Sequence, residues 1–125
     1  MRSIETLSAP TPAGHYAQAV VFNEMVFVAG QLPIDPDRRD APPGTMEQQT
    51  ERTLKNVAAI LEAAGSDLQH VLQLTVYVAD IEQWGAVNTV CARMFGAHRP
   101  ARAVVPVKEL HYGYGIEIQA IAAVK

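Results

Sequence analysis

The segment from Thr45 to Gly65 constrains the possible folds of this chain more than any other part of the sequence. Thr45 and Gln48 have the spacing of a capping box, and Gly65 is the residue type that ends many helices. Between them, side chains recur at helical spacing at Met46, Thr50, Leu54, Val57, Leu61 and Ala64. We therefore expect a long amphipathic helix, and its apolar side needs another layer to pack against.

Several segments predict β-strands that can supply this layer. Residues 1–6 are expected to form a short edge strand. The apolar runs 19–22 and 25–29 are separated only by Asn23-Glu24, which predicts a hairpin. Residues 71–78 alternate between apolar and polar types, which also predicts a strand. One face of that strand is expected to carry Leu72, Leu74, Val76 and Val78.

A second helix and two further strands complete the pattern. Asp80 and Gln83 are expected to open the helix, which ends at Gly96. Its apolar stripe is expected to contain Trp84, Val87, Cys91 and Met94 or Phe95. Small and β-branched residues at 99–107 predict a buried strand, and residues 116–124 predict the last strand. In that last strand Ile116, Ile118, Ala120, Ala122 and Val124 share one face, whereas Glu117 and Gln119 share the other.

The order of these elements predicts the fold class. It runs strand, strand, strand, helix, strand, helix, strand, strand, and each helix can cross over between parallel strands. We therefore expect an α+β protein with a mixed β-sheet and two helices packed on one face. Apolar side chains fall on both faces of the strands, as at Val21, Phe27, Val76, Tyr77 and Val105. A sheet face without helical cover exposes an apolar patch unless another copy covers it, which predicts a homo-oligomer.

Length and charge exclude several classes of protein. A chain of 125 residues is expected to form a single domain, 1–125. The formal net charge of -3 contains no basic surplus, so neither nucleic acid nor a membrane surface is expected as a partner. No apolar run approaches the roughly 20 residues of a membrane span, and none resembles a signal peptide. A single cysteine, Cys91, fits a reducing compartment, so we expect a cytoplasmic protein.

Arg102 stands in the apolar run 99–107, where a charge that cannot be neutralised needs a partner. One interpretation is a structural ion pair with a carboxylate such as Glu117. The other is a guanidinium that grips the carboxylate of a small substrate through two parallel hydrogen bonds. The residues alone leave both interpretations open.

Three more residues are candidates for chemistry. Glu117 interrupts an apolar strand and is either a solvated outer residue or an acid-base group. Tyr16 lies just before a strand and either packs or reaches over a pocket. Gly30, at the end of a strand, is either a simple turn residue or a source of backbone N–H groups for an anion.

Several kinds of site are not expected. The four histidines have no metal-ligand spacing, and the cluster Asp35, Asp37 and Asp40 lacks the glycine and glutamate of a calcium loop, so no metal is expected. No nucleotide-binding or serine-hydrolase motif occurs, which argues against a nucleotide-dependent enzyme and against a covalent hydrolase. Cys91 lies on the apolar stripe of a predicted helix and is expected to be a core residue rather than a nucleophile.

Seven short blocks, in order between about residue 10 and residue 124, resemble the Rid family of reactive enamine/imine intermediate deaminases, formerly called YjgF. They are Gly14-His15-Tyr16-Ala17-Gln18-Ala19-Val20, Val28-Ala29-Gly30-Gln31-Leu32-Pro33, Gln49-Thr50, Asn56-Val57, Val87-Asn88, Arg99-Pro100-Ala101-Arg102 and Ile116-Glu117-Ile118-Gln119-Ala120-Ile121-Ala122. The resemblance implies a chorismate-mutase-like fold, assembled as a homotrimer with three sites in clefts between neighbouring subunits.

The resemblance also implies an activity without a cofactor. Family members hydrolyse small enamines and imines, such as 2-aminoacrylate and 2-iminopropionate, to a 2-keto acid and ammonia. Arg102 would hold the substrate carboxylate, and Glu117 would position or deprotonate the attacking water. Tyr16 would line the pocket, Gly30 and Asn88 would shape it, and the backbone around Val104 would orient the water.

The chain departs from the usual family pattern, which has Pro, Ser, Ser and often Cys where His15, Ala29, Ala103 and Val104 stand. The loop 109–115 also differs from the common Leu-Pro form. We expect Ala29 and the His-Tyr part of this loop, 111–114, to decide which carboxylate fits. Two other functions stay open: a non-catalytic binder of small carboxylates on the same trimeric scaffold, and a chaperone-like or RNA-acting role.

Overall fold

The computed structural model describes all residues from 1 to 125. Its strands are β1 (Arg2–Ile4), β2 (Ala19–Phe22), β3 (Met25–Gln31), β4 (Val71–Val78), β5 (Ala101–Pro106) and β6 (Ile116–Ala123). Its helices are α1 (Met46–Ala63) and α2 (Trp84–Phe95), and short 3₁₀ turns span Leu68–His70, Ile81–Gln83 and His111–Gly113. The predicted order of strands and helices is confirmed. Neither helix has the length and apolar character needed to cross a membrane.

All six strands form one mixed sheet in the order β1-β2-β3-β6-β4-β5. β4 and β5 are parallel neighbours joined through α2, whereas every other neighbouring pair is antiparallel. β6 lies between β3 and β4 and is antiparallel to both. α1 therefore connects two strands that run in the same direction without being neighbours, and the last strand of the chain lies near the centre of the sheet.

The long helix begins and ends where its sequence predicts. The Gln48 N–H donates to Thr45 Oγ1 at 3.2 Å, and the Thr45 N–H donates to Gln48 Oε1 at 2.9 Å, which completes the capping box. Ala64 caps the other end, and Gly65 follows with a φ of 82°, a left-handed conformation that glycine adopts readily. The apolar side of α1 is fully buried at Leu54, Val57, Ile60 and Leu61.

Both helices pack on the same face of the sheet. The core between them includes Val26 and Val28 of β3, Leu74, Val76 and Val78 of β4, and Ile116, Ile118 and Ala120 of β6. We call the opposite side of the sheet the outer face. It has no helical cover, and its apolar side chains are partly open to solvent: Phe27 is 42% exposed and Val105 is also exposed. The predicted sheet with two apolar faces and one helical layer is confirmed.

Two details of the predicted faces are wrong. The register of β4 against β6 shifts between Val71 and Gln73, which turns Leu72 out of the core and leaves it 49% exposed. Trp84 is 44% exposed because it lies beside the Arg102 guanidinium rather than in the core. A 3₁₀ turn at Ile81–Gln83, capped by the Asp80 carboxylate, precedes α2 and makes Trp84 its first residue. The rest of the stripe is buried as expected at Val87, Cys91 and Phe95.

Candidate functional site

Five of the six predicted site residues lie around two separate cavities, and Val104 lines neither. Tyr16, Gly30 and Glu117 line a cavity of about 420 Å³, which we call the Glu117 cavity. Asn88 and Arg102 line a second cavity of about 570 Å³, which we call the Arg102 cavity. The fold of one chain thus gathers the predicted residues into two groups rather than one.

A β-bulge shapes the Glu117 cavity. The register of β3 against β6 shifts at Ala29-Gly30, where two residues of β3 face the single residue Gln119 of β6. Bulges of this kind re-aim neighbouring groups and are common beside active sites. The Gly30 backbone lies so close to Glu117 that a Cβ at residue 30 would be 2.5 Å from Glu117 Oε2. Only a residue without a side chain leaves the Glu117 carboxylate in this position.

Loops supply the remaining walls of the Glu117 cavity. Tyr16 is about half exposed, and its hydroxyl oxygen accepts a hydrogen bond from the Ala13 N–H at 3.3 Å. His111 and Tyr112 line the same cavity from the loop that precedes β6.

Two charged residues that the sequence pattern did not single out, Arg39 and Glu109, also line the Glu117 cavity. Both lie in irregular loops, where no periodicity indicates which side chains face inward. Neither this cavity nor any other part of the structure holds a group of three or more His, Cys, Asp or Glu side chains arranged to bind a metal ion.

Residues of α2 hold Arg102 in place. Arg102 Nη2 donates a hydrogen bond to Asn88 Oδ1 at 3.1 Å, and the guanidinium carbon lies 5.5 Å from the centroid of the Trp84 ring, within cation–π range. Trp84 and Asn88 are one helical turn apart, a spacing that could have indicated a shared contact. No carboxylate oxygen lies within 4.0 Å of Arg102, so the ion pair with Glu117 considered above is not formed.

The register of the sheet separates Arg102 from Glu117. Arg102 pairs with Leu74, whose side chain is buried beneath the helices. Glu117 pairs with Tyr77, three residues further along the same strand and therefore on the other face. Because directly paired residues project to the same side of a sheet, Arg102 points to the helix side and Glu117 to the outer face. A substrate contacted by both side chains needs a second copy of the chain.

Val104 lies two residues after Arg102, and its side chain packs against the core. The prediction of a buried strand at 99–107 is wrong, because β5 is an edge strand and most of its residues are exposed. Part of its backbone N–H and C=O groups therefore have no strand partner. This arrangement leaves the backbone around Val104, rather than its side chain, available to a bound molecule.

Cys91 lines the Arg102 cavity but is almost completely buried. Burial raises the pKa of the Cys91 thiol, and the nearby Arg102 guanidinium offsets this only in part. The thiol is therefore protonated at neutral pH and is a poor nucleophile. Its predicted place in the core is confirmed.

Comparison with known sequences gives matches over nearly the whole chain. The family model described as endoribonuclease L-PSP matches residues 6–124. A RutC family protein of Pyrococcus horikoshii is 44% identical over 119 residues, which cover 95% of this chain and 94% of that protein. The 2-iminobutanoate/2-iminopropanoate deaminase of Rattus norvegicus is 40% identical over 119 residues, which cover 95% of this chain and 87% of that protein.

Solved structures match the fold equally well. A putative endoribonuclease of Thermotoga maritima superposes with a TM-score of 0.95 at 46% identity, covering 100% of this chain and 98% of the other. The TdcF protein of E. coli, solved with bound serine, superposes with a TM-score of 0.94 at 34% identity, covering 100% of both chains. The predicted α+β class, with two helices on one face of a mixed sheet, is confirmed.

Proposed function

Because this chain belongs to the Rid family, we propose that it hydrolyses small 2-imino and 2-enamino acids to 2-keto acids and ammonia. The observation that carries the proposal is the presence of two complementary groups that have no partner of opposite charge within the chain. Glu117 offers a carboxylate in one cavity, and Arg102 offers a guanidinium in the other. The name of the rat relative describes this class of reaction.

We propose that the working protein is a homotrimer in which each site combines the Glu117 cavity of one subunit with Arg102 of its neighbour. The uncovered outer face supports association, because its apolar side chains gain from burial. A contact between different surfaces of identical chains closes into a ring when the rotation allows it, and the family resemblance implies a ring of three. In the proposed assembly, Arg102 and Glu117 each gain an oppositely charged neighbour at the same subunit contact.

In the proposed reaction, Arg102 holds the substrate carboxylate through two parallel hydrogen bonds and so presents the C=N carbon to Glu117. Glu117 accepts a proton from water as the water oxygen bonds to that carbon, and the C=N bond becomes a C–N single bond. Glu117 returns its proton to the nitrogen, and transfer of the remaining hydroxyl proton to the nitrogen then breaks the C–N bond, releases ammonia and forms the C=O bond of the keto acid. An enamine first tautomerises to the imine.

The other predicted residues take supporting roles in this scheme. Gly30 leaves space for the Glu117 carboxylate, and Tyr16 forms part of the wall beside it. Asn88 orients the Arg102 guanidinium through the hydrogen bond at 3.1 Å. The edge-strand backbone at Val104 is suited to hold the attacking water. Imines hydrolyse readily, so orientation plus a proton transfer worth about 10²–10⁴-fold is enough without a metal or a covalent step.

We propose that the chain acts as a single cytoplasmic domain without nucleic acid or membrane as a partner. The net charge of -3 supports this, because binding to polyanions draws on a surplus of lysine and arginine. The single buried cysteine fits a reducing compartment.

The deaminase proposal is tested by measuring ammonia and keto acid released from imines made in situ by an amino-acid oxidase. We expect the parent protein to accelerate release, and both Arg102→Ala and Glu117→Gln to abolish the acceleration while the assembly stays intact. Release at the uncatalysed rate with every imine would contradict the proposal.

A second candidate function is the non-catalytic binding of small carboxylates. The serine bound to TdcF favours it, because that related structure holds a small molecule with a carboxylate. Glu117→Gln separates the two functions: an enzyme loses turnover and keeps ligand affinity. A binder shows no turnover in the parent protein and measurable affinity for keto acids that depends on Arg102.

A further inference from the structure

We propose that the Glu117 cavity selects 2-imino acids with an aromatic side chain, and that Tyr112 is the residue that recognises the ring. This inference rests on the proposed hydrolysis at the same site and adds the class of substrate. In one chain, before the neighbour's Arg102 completes the site, the cavity measures about 420 Å³, which lies in the range that accommodates drug-sized ligands and exceeds what a three-carbon imino acid fills.

Tyr112 is held in a conformation that its residue type disfavours. Its φ is 61°, in the left-handed region, where bulky side chains are rare and strained. Despite this, its ring is not used to fill the core, because Tyr112 is 64% exposed and lines the Glu117 cavity. Strained residues of this kind concentrate at functional sites, where the surrounding structure enforces them.

The surrounding structure does enforce the position of this ring. Tyr114 is buried, with only 7% of its surface exposed. Its ring meets the Tyr112 ring edge-on, with the two ring centroids 6.3 Å apart. The His111 ring lies 5.0 Å from Tyr112 on a tilted plane. Tyr112 therefore presents an exposed aromatic surface that is braced by two other rings.

A buried glutamine fixes the loop that carries Tyr112. The Gly115 N–H donates to Gln49 Oε1 at 2.9 Å, and Gln49 Nε2 donates to the Gly44 carbonyl at 3.0 Å. Gln49 belongs to α1, so the loop is anchored to a rigid helix at its end. A pre-organised aromatic wall loses little entropy when a ligand ring stacks on it.

The charges in the cavity disfavour ionic side chains as the selected group. Arg39 would attract an acidic side chain, but Glu109 and Glu117 line the same cavity and would repel it. A basic side chain would be attracted by the two carboxylates but repelled by Arg39. An uncharged ring satisfies both conditions, and Tyr16 adds a further aromatic surface to the same cavity.

Tyr112→Asn is the sharpest test, because asparagine tolerates a left-handed φ and so removes the ring while keeping the backbone of the loop. Tyr112→Phe is the matched control, since it keeps the ring and removes only the hydroxyl. Rates are measured on imines made by an amino-acid oxidase from phenylalanine and from alanine, each at a matched rate of imine production.

We expect the parent protein to have the higher kcat/KM for the phenylalanine-derived imine. Tyr112→Asn should lower the ratio of the phenylalanine-derived to the alanine-derived value by about three- to tenfold, the range of one lost aromatic contact. Tyr112→Phe should keep the parental ratio. A parent that prefers the alanine-derived imine, or an equal loss on both imines in Tyr112→Asn, would overturn the proposal.

Binding keeps this test independent of turnover. The affinities of phenylpyruvate and pyruvate for the Glu117→Gln protein are compared by calorimetry, with and without Tyr112→Asn. Tighter binding of phenylpyruvate that depends on Tyr112 supports aromatic selection, even if no imine is hydrolysed and the proposed reaction fails. Equal affinities in the presence of normal imine hydrolysis would overturn the aromatic selection and leave the reaction standing.

Discussion

Arg102 and Glu117 project from opposite faces of one sheet, with strand β4 between the strands that carry them. Arg102 pairs with Leu74, which is buried under the helices, and Glu117 pairs with Tyr77, which faces away from them. No side-chain rotation brings groups together through a packed sheet. A reaction that needs both residues is therefore a property of the assembly, and dissociated chains should lack it.

Mixed assemblies test this separation directly. We expect Arg102→Ala and Glu117→Gln to be inactive alone, but to regain activity when they are co-expressed or refolded together. Random mixing in equal amounts gives about one site in four with both groups intact, because each site takes one group from each of two neighbours. Keto acid release near a quarter of the parental rate is the expected result. If both groups acted within one chain, no mixture would be active.

Gly30→Ala should lower kcat/KM strongly and change the stability of the fold only slightly. The added Cβ would lie 2.5 Å from Glu117 Oε2, so the carboxylate has to turn away from its present position. We expect kcat/KM to fall by about 10²-fold, the lower range for loss of a positioned general base. Circular dichroism melting should change by only a few degrees.

Gly85→Ala is a matched control for that substitution. Gly85 is exposed on α2, and an added Cβ would meet nothing within 4 Å. The change should leave kcat/KM unaltered and stabilise the fold by up to about 1 kcal/mol through helix propensity. Equal losses of activity in both glycine variants would argue against contact with Glu117 as the cause.

The helices and the inward face of β6 could be predicted from the sequence, because their signals are local. Thr45 and Gln48 mark a helix start by hydrogen bonds between residues three apart, and alternation around Glu117 places it opposite the apolar face. The orientation of Arg102 could not be predicted, because both sides of β5 carry small apolar residues. It depends on the pairing with Leu74, which arises only when the sheet forms.

The errors at Leu72 and Trp84 have similar causes. Leu72 continues the alternation of β4, and only the register shift between β4 and β6 reveals that it leaves the core. Trp84 fits the stripe of α2, yet it lies at the first turn beside the Arg102 guanidinium. In both cases a tertiary contact overrides a correct periodicity, and at Trp84 that contact belongs to the candidate site.

Asn88→Ala should weaken substrate binding more than it slows the chemical step. Asn88 Oδ1 accepts the hydrogen bond from Arg102 Nη2, and its loss lets the guanidinium rotate away from the orientation needed for two parallel bonds. A hydrogen bond to a charged group is worth about 1.5–3 kcal/mol, so we expect KM to rise about tenfold or more.

Steady-state kinetics with a single imine measure this effect. Thr89→Ala, at the next position of α2, is the control, because Thr89 is exposed and bonds only to the Gly85 carbonyl. A lower kcat with an unchanged KM in Asn88→Ala would instead place Asn88 in the chemical step.

Asp67 should make stability depend on pH at the acid end. The hydrogen bond from His70 Nδ1 at 2.7 Å lowers the pKa of the Asp67 carboxyl below its ordinary 3.8, and Lys125 Nζ at 3.4 Å acts in the same direction. A carboxyl with a lowered pKa in the folded state stabilises the fold above pH 3.8, and this contribution is lost as the pH falls through the folded value.

Asp67→Asn should therefore melt at a lower temperature than the parent at pH 5, by a small amount because the pair is exposed. The difference should shrink as the pH is lowered below 3.8, whereas Asp37→Asn, which removes an exposed carboxyl without an ion pair, should track the parent throughout. A difference between Asp67→Asn and the parent that stays constant down to pH 2 would rule out the ionised carboxyl as its source.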